Sequence, residues 1–275
     1  MKKLFAVLLS AAMLVGTVFA FAACGNTNNL KVATNAYFPP FEYFSGNAFT
    51  GVDMEIASGM AKDIGYDGMT VSDMEFDAII PAVQQGTCDI GMAGMTVTDT
   101  RKESVDFTDE YYESAQVIIV KSDDTTFDAC TSAEEIENIL KTKTSAYKIG
   151  TQRGTTGYMY SAGNEDFEYD GFPNLTTSGY DTGAVAVQDL ANGRINAVII
   201  DKQPAIMIAQ SVSGVKVITD YELTSEAYAF CVRKGNTELL EKANAYLKKI
   251  KENGELDRII TSFFDGTATF KHNNA

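Results

Sequence analysis

Residues 30–65 have the sequence LKVATNAYFPPFEYFSGNAFTGVDMEIASGMAKDIG, and this stretch indicates the fold class. Leu30 to Thr34 has the short apolar character of a buried strand. From Asp53 to Ile64, apolar residues recur at helical spacing, which predicts an amphipathic helix that Asp53 would cap and Gly65 would end. A strand followed by a helix is the repeating unit of an α/β protein.

The same alternation continues along the chain. Strands are predicted at 69–71, 88–93, 116–120, 147–151, 195–200, 215–218 and 228–232. Helices are predicted at 76–85, 132–140, 181–191, 203–210, 237–251 and 255–264, and another opens at 154–157. This pattern predicts two α/β sheets with crossover helices. A length of 275 residues suits two domains, and because no Pro/Ser-rich linker separates them, short strands are expected to cross between them.

The composition limits the kinds of partner. Hydrophobic residues make up 45% and charged residues 21%, which is typical of a globular protein. The formal net charge is -15, and no run of Lys and Arg interrupts the acidity. Such a surface repels nucleic acid and anionic headgroups, so no nucleic-acid partner is expected. The acidity indicates solubility outside the cell, with attraction of cationic ligands as the alternative.

The amino terminus has the pattern of a secretory leader. Two lysines precede an almost wholly apolar run, 4–21, so residues 1–23 are predicted to be a signal peptide. The sequence FAAC at 21–24 resembles a lipoprotein cleavage box. This implies that Cys24 is lipidated and that 24–29 forms a tether. Simple secretion after an Ala-x-Ala site and an uncleaved membrane anchor are the alternatives.

The other cysteines and the single histidine argue against a C-x-x-C motif, a histidine-based metal site and a Ser-His-Asp triad. Cys88, Cys130 and Cys231 form no C-x-x-C motif. Cys88 and Cys231 lie in apolar runs typical of core residues, and a disulfide between them stays open. His272 lies in a polar tail, so neither a histidine-based metal site nor a Ser-His-Asp triad is expected. No cofactor and no metal is predicted.

The stretch VATNAYFPPFE at 32–42 resembles the first binding loop of the polar amino-acid ABC transporter substrate-binding proteins, bacterial solute-binding protein family 3. Further motifs follow in the family's order, and together the resemblance covers residues 30–264. They are GVDMEI at 51–56, FDAIIP at 76–81, GTCD at 86–89, AGMTVT at 93–98, VDFT at 105–108, GTT at 154–156, NGR at 192–194, NAV at 196–198, VRKGN at 232–236 and NGEL at 253–256.

The resemblance implies a type II periplasmic-binding-protein fold, which consists of two α/β lobes joined by two hinge strands. Lobe 1 would comprise 30–110 and 229–270, and lobe 2 would comprise 116–224. The hinges would be 111–115 and 225–228. The ligand would lie in the cleft between the lobes.

A free amino acid buried in such a cleft loses its hydration, so each of its charges needs a partner. A planar guanidinium suits a carboxylate, and the free N–H groups at a helix start suit an anion. The resemblance therefore assigns the ligand carboxylate to Arg101, Thr96, Thr155 and Thr156. The ligand ammonium is assigned to Asp201 and Gly94. The plainer alternatives are a surface ion pair for Arg101 and a helix cap for Asp201.

The side chain of the ligand would lie between Phe38 and Phe76. By the same resemblance, Asn35, Glu42, Gln152 and Ile200 line or flank its pocket, and Tyr37 either enters the pocket or stays outside it. Gln152 favours a polar uncharged amino acid such as glutamine. Arginine, lysine and cystine stay open. Basic-amino-acid binders of the family tend to carry acidic groups here, and Asn35 departs from that pattern, while Glu42 leaves the question open.

The function implied is that of an extracytoplasmic solute-binding lipoprotein, anchored to the outer face of the cell membrane through Cys24. It would bind a free L-amino acid, close its lobes and deliver the ligand to ABC permease subunits, as a monomer and without catalysis. One alternative is an enzyme resembling cyclohexadienyl dehydratases, with Glu42 or Asp201 as general acid. A ligand-binding module of a sensory receptor and a surface adhesin are the others.

Overall fold

The computed structural model describes residues 28–167 and 169–274. The strands are β1 (Asn29–Thr34), β2 (Tyr37–Phe38), β3 (Glu42–Ser45), β4 (Ala48–Thr50), β5 (Gly68–Asp73), β6 (Ile90–Gly91), β7 (Val105–Phe107), β8 (Tyr112–Ser114), β9 (Gln116–Lys121), β10 (Lys148–Gln152), β11 (Thr176–Tyr180), β12 (Ala197–Asp201), β13 (Val215–Ile218), β14 (Glu226–Tyr228) and β15 (Cys231–Arg233). The helices are α1 (Val52–Asp63), α2 (Ile79–Gln85), α3 (Asp99–Ser104), α4 (Ala133–Lys141), α5 (Thr156–Ala162), α6 (Gly183–Ala191), α7 (Lys202–Ser211), α8 (Thr237–Glu252) and α9 (Glu255–Phe264).

The first sheet, around which we define lobe 1, has the strand order β5-β1-β6-β15-β7. β1 pairs in parallel with β5 and β6, and β15 is antiparallel to β6 and β7. Successive residues of β1 enter different cores: Val32 belongs to the buried cluster that contains Met60 of α1, whereas Ala33 belongs to the one with Val83 of α2. Because side chains alternate across a strand, this division shows that helices cover both faces of the sheet.

The second sheet, around which we define lobe 2, has the order β11-β10-β12-β9-β13. β10 is parallel to β11 and β12, and β9 is antiparallel to β12 and β13. In β9, Val117 and Ile119 join one buried cluster and Ile118 and Val120 join another. Lobe 2 therefore repeats the plan of lobe 1, a mixed sheet between two layers of helices.

Two short strands connect the sheets. β8 follows β7 of lobe 1 and precedes β9 of lobe 2, while β14 follows β13 of lobe 2 and precedes β15 of lobe 1. They pair antiparallel with each other. The chain thus crosses twice between the lobes at one place, and we call this pair the crossing strands. Their action as a hinge remains a prediction.

The structure corrects several local predictions. Residues 228–232, predicted as one strand, are divided between β14 and β15, and the predicted strand 88–93 is reduced to β6. The helix predicted at 76–85 begins as a 3-10 turn at Phe76–Ala78 before α2. The small sheet β2-β3-β4 was missed. Asp53 does not cap α1, because Gly51 occupies the N-cap position and Asp53 lies buried within the helix.

Candidate functional site

A small cavity lies between the two lobes. Lobe 1 contributes loop and helix residues around β2, β6 and α3, and lobe 2 contributes the start of α5 and the end of β12. The residues that line the cavity are Asn35, Phe38, Glu42, Phe76, Ala93, Gly94, Thr96, Arg101, Gln152, Thr155, Thr156 and Asp201. Arg101 and Asp201, from different lobes, therefore face one cavity.

Two residues predicted at the pocket, Tyr37 and Ile200, are not among its lining residues. Tyr37 is 45% exposed on β2 and packs edge-on against Phe44, with the ring centroids 5.8 Å apart. Ile200 is buried inside lobe 2, where its end lies over Gly183 of α6. The structure therefore places neither side chain in the cavity wall: Tyr37 faces solvent, and Ile200 packs in the core of lobe 2.

Arg101 is placed by the first turn of α3, where the Thr98 hydroxyl accepts the Arg101 N–H at 3.2 Å. Its guanidinium donates to the Thr96 carbonyl at 2.5 Å and, across the cleft, to the Gly154 carbonyl at 2.9 Å. It also lies over the Phe76 ring, 5.3 Å from the centroid. Burial lowers the pKa of Arg101, and nearby Glu226 opposes this effect. The alternative of a surface ion pair is excluded, since the side chain is only 5% exposed.

Two other predicted carboxylate contacts, Thr96 and Thr156, form a cluster that the sequence did not indicate. The hydroxyls of both threonines donate to Glu226 at 2.7 Å. Thr155, the N-cap residue of α5, uses its hydroxyl to bond the Gln152 carbonyl at 2.8 Å. The three hydroxyl protons are therefore occupied within the protein, and Glu226 is a residue that sequence reasoning missed.

Asp201 ends β12 and occupies the N-cap position of α7, but its side chain makes no capping hydrogen bond. Its carboxylate instead accepts from Ser114 at 3.0 Å and from the Tyr228 hydroxyl at 2.6 Å, and both donors lie on the crossing strands. Burial, and then the charge of Glu226, raises the pKa of Asp201 to about 7. Asp201 is thus held towards the cavity, where a cation would compensate its charge.

Glu42 on β3 is fully buried, and no donor among residues 28–167 and 169–274 reaches either of its carboxylate oxygens. Its pKa is raised well above the ordinary value by burial first, then by the charge of Asp53 and a hydrogen bond with Asp53, and then by Asp201. Protonated Glu42 can donate to the Asp53 carboxylate, which explains that hydrogen bond. A cation in the cavity would remove the need for this proton.

Asp53 lies behind the cavity wall and is another residue whose role the sequence did not show. It accepts from the Gly94 N–H at 2.9 Å and from the Tyr111 hydroxyl at 2.5 Å. Burial raises the pKa of Asp53 to about 6, although these hydrogen bonds lower it. Gly94 has a φ of +51°, and a Cβ there would lie 3.1 Å from Phe38, so glycine suits this close contact.

Asn35 and Gln152 connect the lobes on another part of the wall. The Gln152 amide donates to the Asn35 side-chain oxygen at 2.9 Å, and Asn35 donates to the Met74 carbonyl at 2.7 Å. The side-chain oxygen of Gln152 is buried and has no hydrogen-bond partner in the described part of the chain. This oxygen is an acceptor that a ligand donor could use.

The predicted leader, the tether and Cys24 lie outside the described residues, apart from residues 28 and 29. Cys88, Cys130 and Cys231 are free thiols, so the disulfide left open between Cys88 and Cys231 is not formed. Among the residues that the structure describes, no helix is both long and apolar enough to cross a membrane.

Two mixed α/β lobes, a double crossing and an enclosed cavity with opposite charges define a two-lobed binding protein with a type II periplasmic-binding fold. Residues 30–266 match the family model of bacterial extracellular solute-binding proteins, family 3. The chain belongs to this family, which confirms the resemblance drawn from its motifs.

Individual relatives are similar over nearly the whole chain. The arginine-binding extracellular protein ArtP of Bacillus subtilis (strain 168) is 32% identical, covering 97% of this chain and 99% of ArtP. The putative ABC transporter arginine-binding protein 2 of Escherichia coli (strain K12) is 31% identical, covering 96% and 99%. Two solved structures, each of an ancestral arginine-binding protein, have a TM-score of 0.73. The one bound to arginine is 35% identical and the one bound to glutamine is 34% identical, and each match covers 86% of this chain and 98% of that chain.

Proposed function

We propose that this protein binds a free cationic amino acid, arginine foremost, as the extracytoplasmic binding component of an ABC importer. Glu42 carries the proposal: it is a fully buried carboxylate that lines the cavity and has no donor on either oxygen among the described residues. Burial disfavours the ionised form of Glu42, so a cationic ligand group would stabilise the carboxylate charge and supply the donors that its oxygens lack. A guanidinium, with five N–H groups, suits this role.

The other charges of the ligand have partners in the same cavity. The Arg101 guanidinium would hold the α-carboxylate, with backbone N–H groups at the start of α5 as further donors, because the first turn of a helix leaves such groups unpaired. Asp201 and the Gly94 carbonyl would hold the α-ammonium.

This proposal changes the preferred ligand from a glutamine-like to a cationic amino acid. Two observations support the change: Gln152 already bonds Asn35, and Glu42 has no counter-charge. Named relatives bind arginine, which agrees with the change. Glutamine is the second candidate, because the ancestral relative was also solved with glutamine and because the Gln152 side-chain oxygen is an unused acceptor.

Binding would proceed by closure of the two lobes. The Arg101–Gly154 and Gln152–Asn35 hydrogen bonds both run between lobes, so the arrangement described here is a closed one. A ligand that contacts both lobes shifts the population towards this form, whereas a ligand held by one lobe does not. The closed form would then dock on the permease, as a monomer held to the membrane through lipidated Cys24.

We propose binding without catalysis. Each charged cavity residue has a partner on an arginine ligand, so the arrangement needs no reacting group. The competing dehydratase function would use Glu42 or Asp201 as an acid, and incubation with prephenate or arogenate followed by product detection tests it. Product formed at an enzymatic rate would contradict the proposal.

A thermal-shift screen against the twenty amino acids and cystine tests the ligand assignment. The protein is first unfolded and refolded, so that any carried ligand is removed. Arginine should raise the melting temperature most, because a ligand at about 100 times its Kd stabilises the folded state by about 2.7 kcal/mol. Citrulline, the neutral analogue of arginine, is the matched control. Equal stabilisation by both, or a larger effect of glutamine, would contradict a cationic ligand.

A further inference from the structure

Glu226 occupies an unusual place for a buried carboxylate. It begins β14, it pairs with Ser114 of β8, and its side chain is only 8% exposed. The residue thus belongs to the crossing strands rather than to the sheet of either lobe. It does not line the cavity itself.

One oxygen of Glu226 is shared by the two lobes. Oε2 accepts from Thr96 Oγ1 and from Thr156 Oγ1, each at 2.7 Å, and the two hydroxyl oxygens are 3.4 Å apart. Thr96 follows β6 of lobe 1 and bridges to Tyr228, whereas Thr156 begins α5 of lobe 2. Hydrogen bonds to an ionised acceptor are stronger than neutral ones, so this oxygen joins the lobes at the position where the cleft closes.

Other contacts fix the carboxylate and the direction of the hydroxyls. Oε1 of Glu226 accepts from the Thr224 hydroxyl at 2.6 Å. The Gln116 side chain donates to Thr156 Oγ1 at 3.2 Å, so the hydroxyl of Thr156 accepts there and uses its single proton for Glu226. The carboxylate therefore has one well-defined position, with donors from both sides.

We propose that Glu226 is a positioning residue for ligand binding: its shared oxygen stabilises the closed cleft by holding Thr96 and Thr156 together. When the lobes separate, the two hydroxyls separate as well, and the carboxylate keeps at most one of the two bonds. The hydroxyl protons of both threonines point to Glu226. A ligand carboxylate would therefore rely on Arg101 and backbone N–H groups, while the threonines act through Glu226.

The inference rests on the proposed closure around an amino acid, but not on which amino acid binds. Glu226 contacts residues of the protein only, so its effect on closure exists without ligand. A test on the ligand-free protein can therefore fail or succeed independently of the arginine assignment.

The central experiment compares the wild-type protein with Glu226→Ala, Glu226→Gln and Glu113→Ala. Glu113 is an exposed carboxylate on β8 opposite Ala227, so its removal changes the net charge equally at the crossing strands. Small-angle X-ray scattering reports the opening of the ligand-free protein, and stopped-flow fluorescence reports arginine association and release. Urea unfolding separates a loss of folding stability from a loss of closure.

Glu226→Ala should increase the radius of gyration of the ligand-free protein and speed arginine release by about tenfold or more, since hydrogen bonds to charged groups contribute about 1.5–3 kcal/mol. The association rate should change little. Glu226→Gln, whose amide oxygen still accepts, should fall between Ala and wild type, and it provides the test if the Ala variant does not fold. Glu113→Ala should behave as wild type.

Wild-type scattering together with a wild-type release rate in Glu226→Ala overturns the proposal. Equal effects in Glu226→Ala and Glu113→Ala also overturn it, because they assign the change to net charge. If arginine does not bind the wild-type protein, the arginine assignment fails, and the scattering comparison alone decides the role of Glu226.

Discussion

The positive and the negative side chains of the cavity differ in how well the protein satisfies them. Arg101 is buried, yet its guanidinium donates to carbonyl oxygens of both lobes and lies over the Phe76 ring. Glu42 is equally buried, and no donor reaches its oxygens in the part of the chain that the structure describes. We refer to Glu42, Asp53 and Asp201 together as the acidic cluster.

This difference indicates which charged group of the site finds partners within the protein and which one needs the ligand. In the closed cleft, the backbone carbonyls of Thr96 and Gly154 partly satisfy the Arg101 guanidinium without a ligand. Among the described residues, the acidic cluster has no ion pair with Lys or Arg, and the pKa values of its three carboxylates are all raised, with burial as the largest cause. A buried polar group without a donor costs free energy, so Glu42 is the member of this cluster that most needs a ligand.

The largest effect is expected from Arg101→Ala. The α-carboxylate of any amino acid would then be buried without a cation, a loss of about 3–5 kcal/mol, or at least roughly a hundredfold in Kd. Isothermal titration calorimetry with arginine measures this change. The matched control is Lys102→Ala, the exposed neighbour that pairs with Asp99, which should bind as wild type. Unchanged affinity in Arg101→Ala would show that the carboxylate lies elsewhere.

Glu42→Gln tests the acidic cluster in the same way. The side chain keeps its shape and loses its charge, so arginine should bind about 2 kcal/mol more weakly, or roughly 30-fold. Citrulline has no charge on its side chain, and its affinity should change much less. Calorimetry with both ligands on both proteins gives the difference directly. An equal loss for the two ligands would mean that Glu42 supports the wall rather than a cation.

A smaller effect is expected on the number of protons released when arginine binds. Because the pKa of ligand-free Glu42 is raised, the group carries a proton over a range above its ordinary value, and a bound guanidinium would lower that pKa again. Arginine should therefore displace up to about one proton from Glu42, and its affinity should rise as the pH increases through this range. Calorimetry over a series of pH values, each in two buffers of different ionisation enthalpy, measures the protons released.

Asp201 complicates this measurement, since its pKa is raised to about 7 and it would meet the ammonium of any amino acid. Its contribution is common to arginine and citrulline, so the difference between the two ligands isolates the Glu42–Asp53 pair. Glu42→Gln should reduce that difference. Equal proton release by arginine and citrulline in the wild-type protein would contradict a cation beside Glu42.

Much of the fold could be predicted because the local signals agree with the tertiary structure. The helix predicted at 255–264 is α9 itself, and the strand predicted at 215–218 is β13. The β3–β4 hairpin was missed although Gly46-Asn47 between two strand-like runs is a turn signal. The Asp53 cap failed because a polar residue near a helix start was interpreted by its local preference, whereas tertiary contacts with Gly94 and Tyr111 bury it.

The residues of the candidate site also fall into those that the sequence could predict and those that it could not. Arg101 and Asp201 lie in motifs that the family pattern marks, so sequence could find them. Glu226 meets Thr96 over a separation of 130 residues, and no short-range pattern reports such a contact. A charged residue in the strand that also holds buried Tyr228 was a weak signal for it. Asp166, whose carboxylate accepts from Thr100 of the other lobe, had no sequence signal, because this contact forms only when the lobes are together.

Asp166 gives the smallest of the expected effects. This lobe 2 residue lies in the 3-10 turn Glu165–Phe167, and its carboxylate accepts the Thr100 N–H at 2.8 Å, at the start of α3 in lobe 1. Because α3 carries Arg101, this contact joins the lobes at the edge of the cleft next to Arg101. Loss of one acceptor at a helix start costs about 1 kcal/mol, so Asp166→Ala should release arginine roughly fivefold faster.

The control is Glu165→Ala, which removes the same charge from the neighbouring, exposed position and leaves the α3 contact in place. Stopped-flow measurements of arginine release on both variants make the comparison. Because opening must break the Asp166–Thr100 bond before the ligand leaves, the change should appear in release and not in association. If both variants release arginine at one rate, the contact at the rim contributes nothing to closure. The contacts that keep the lobes closed near Arg101 would then be those inside the cleft, through the Gly154 carbonyl and Glu226.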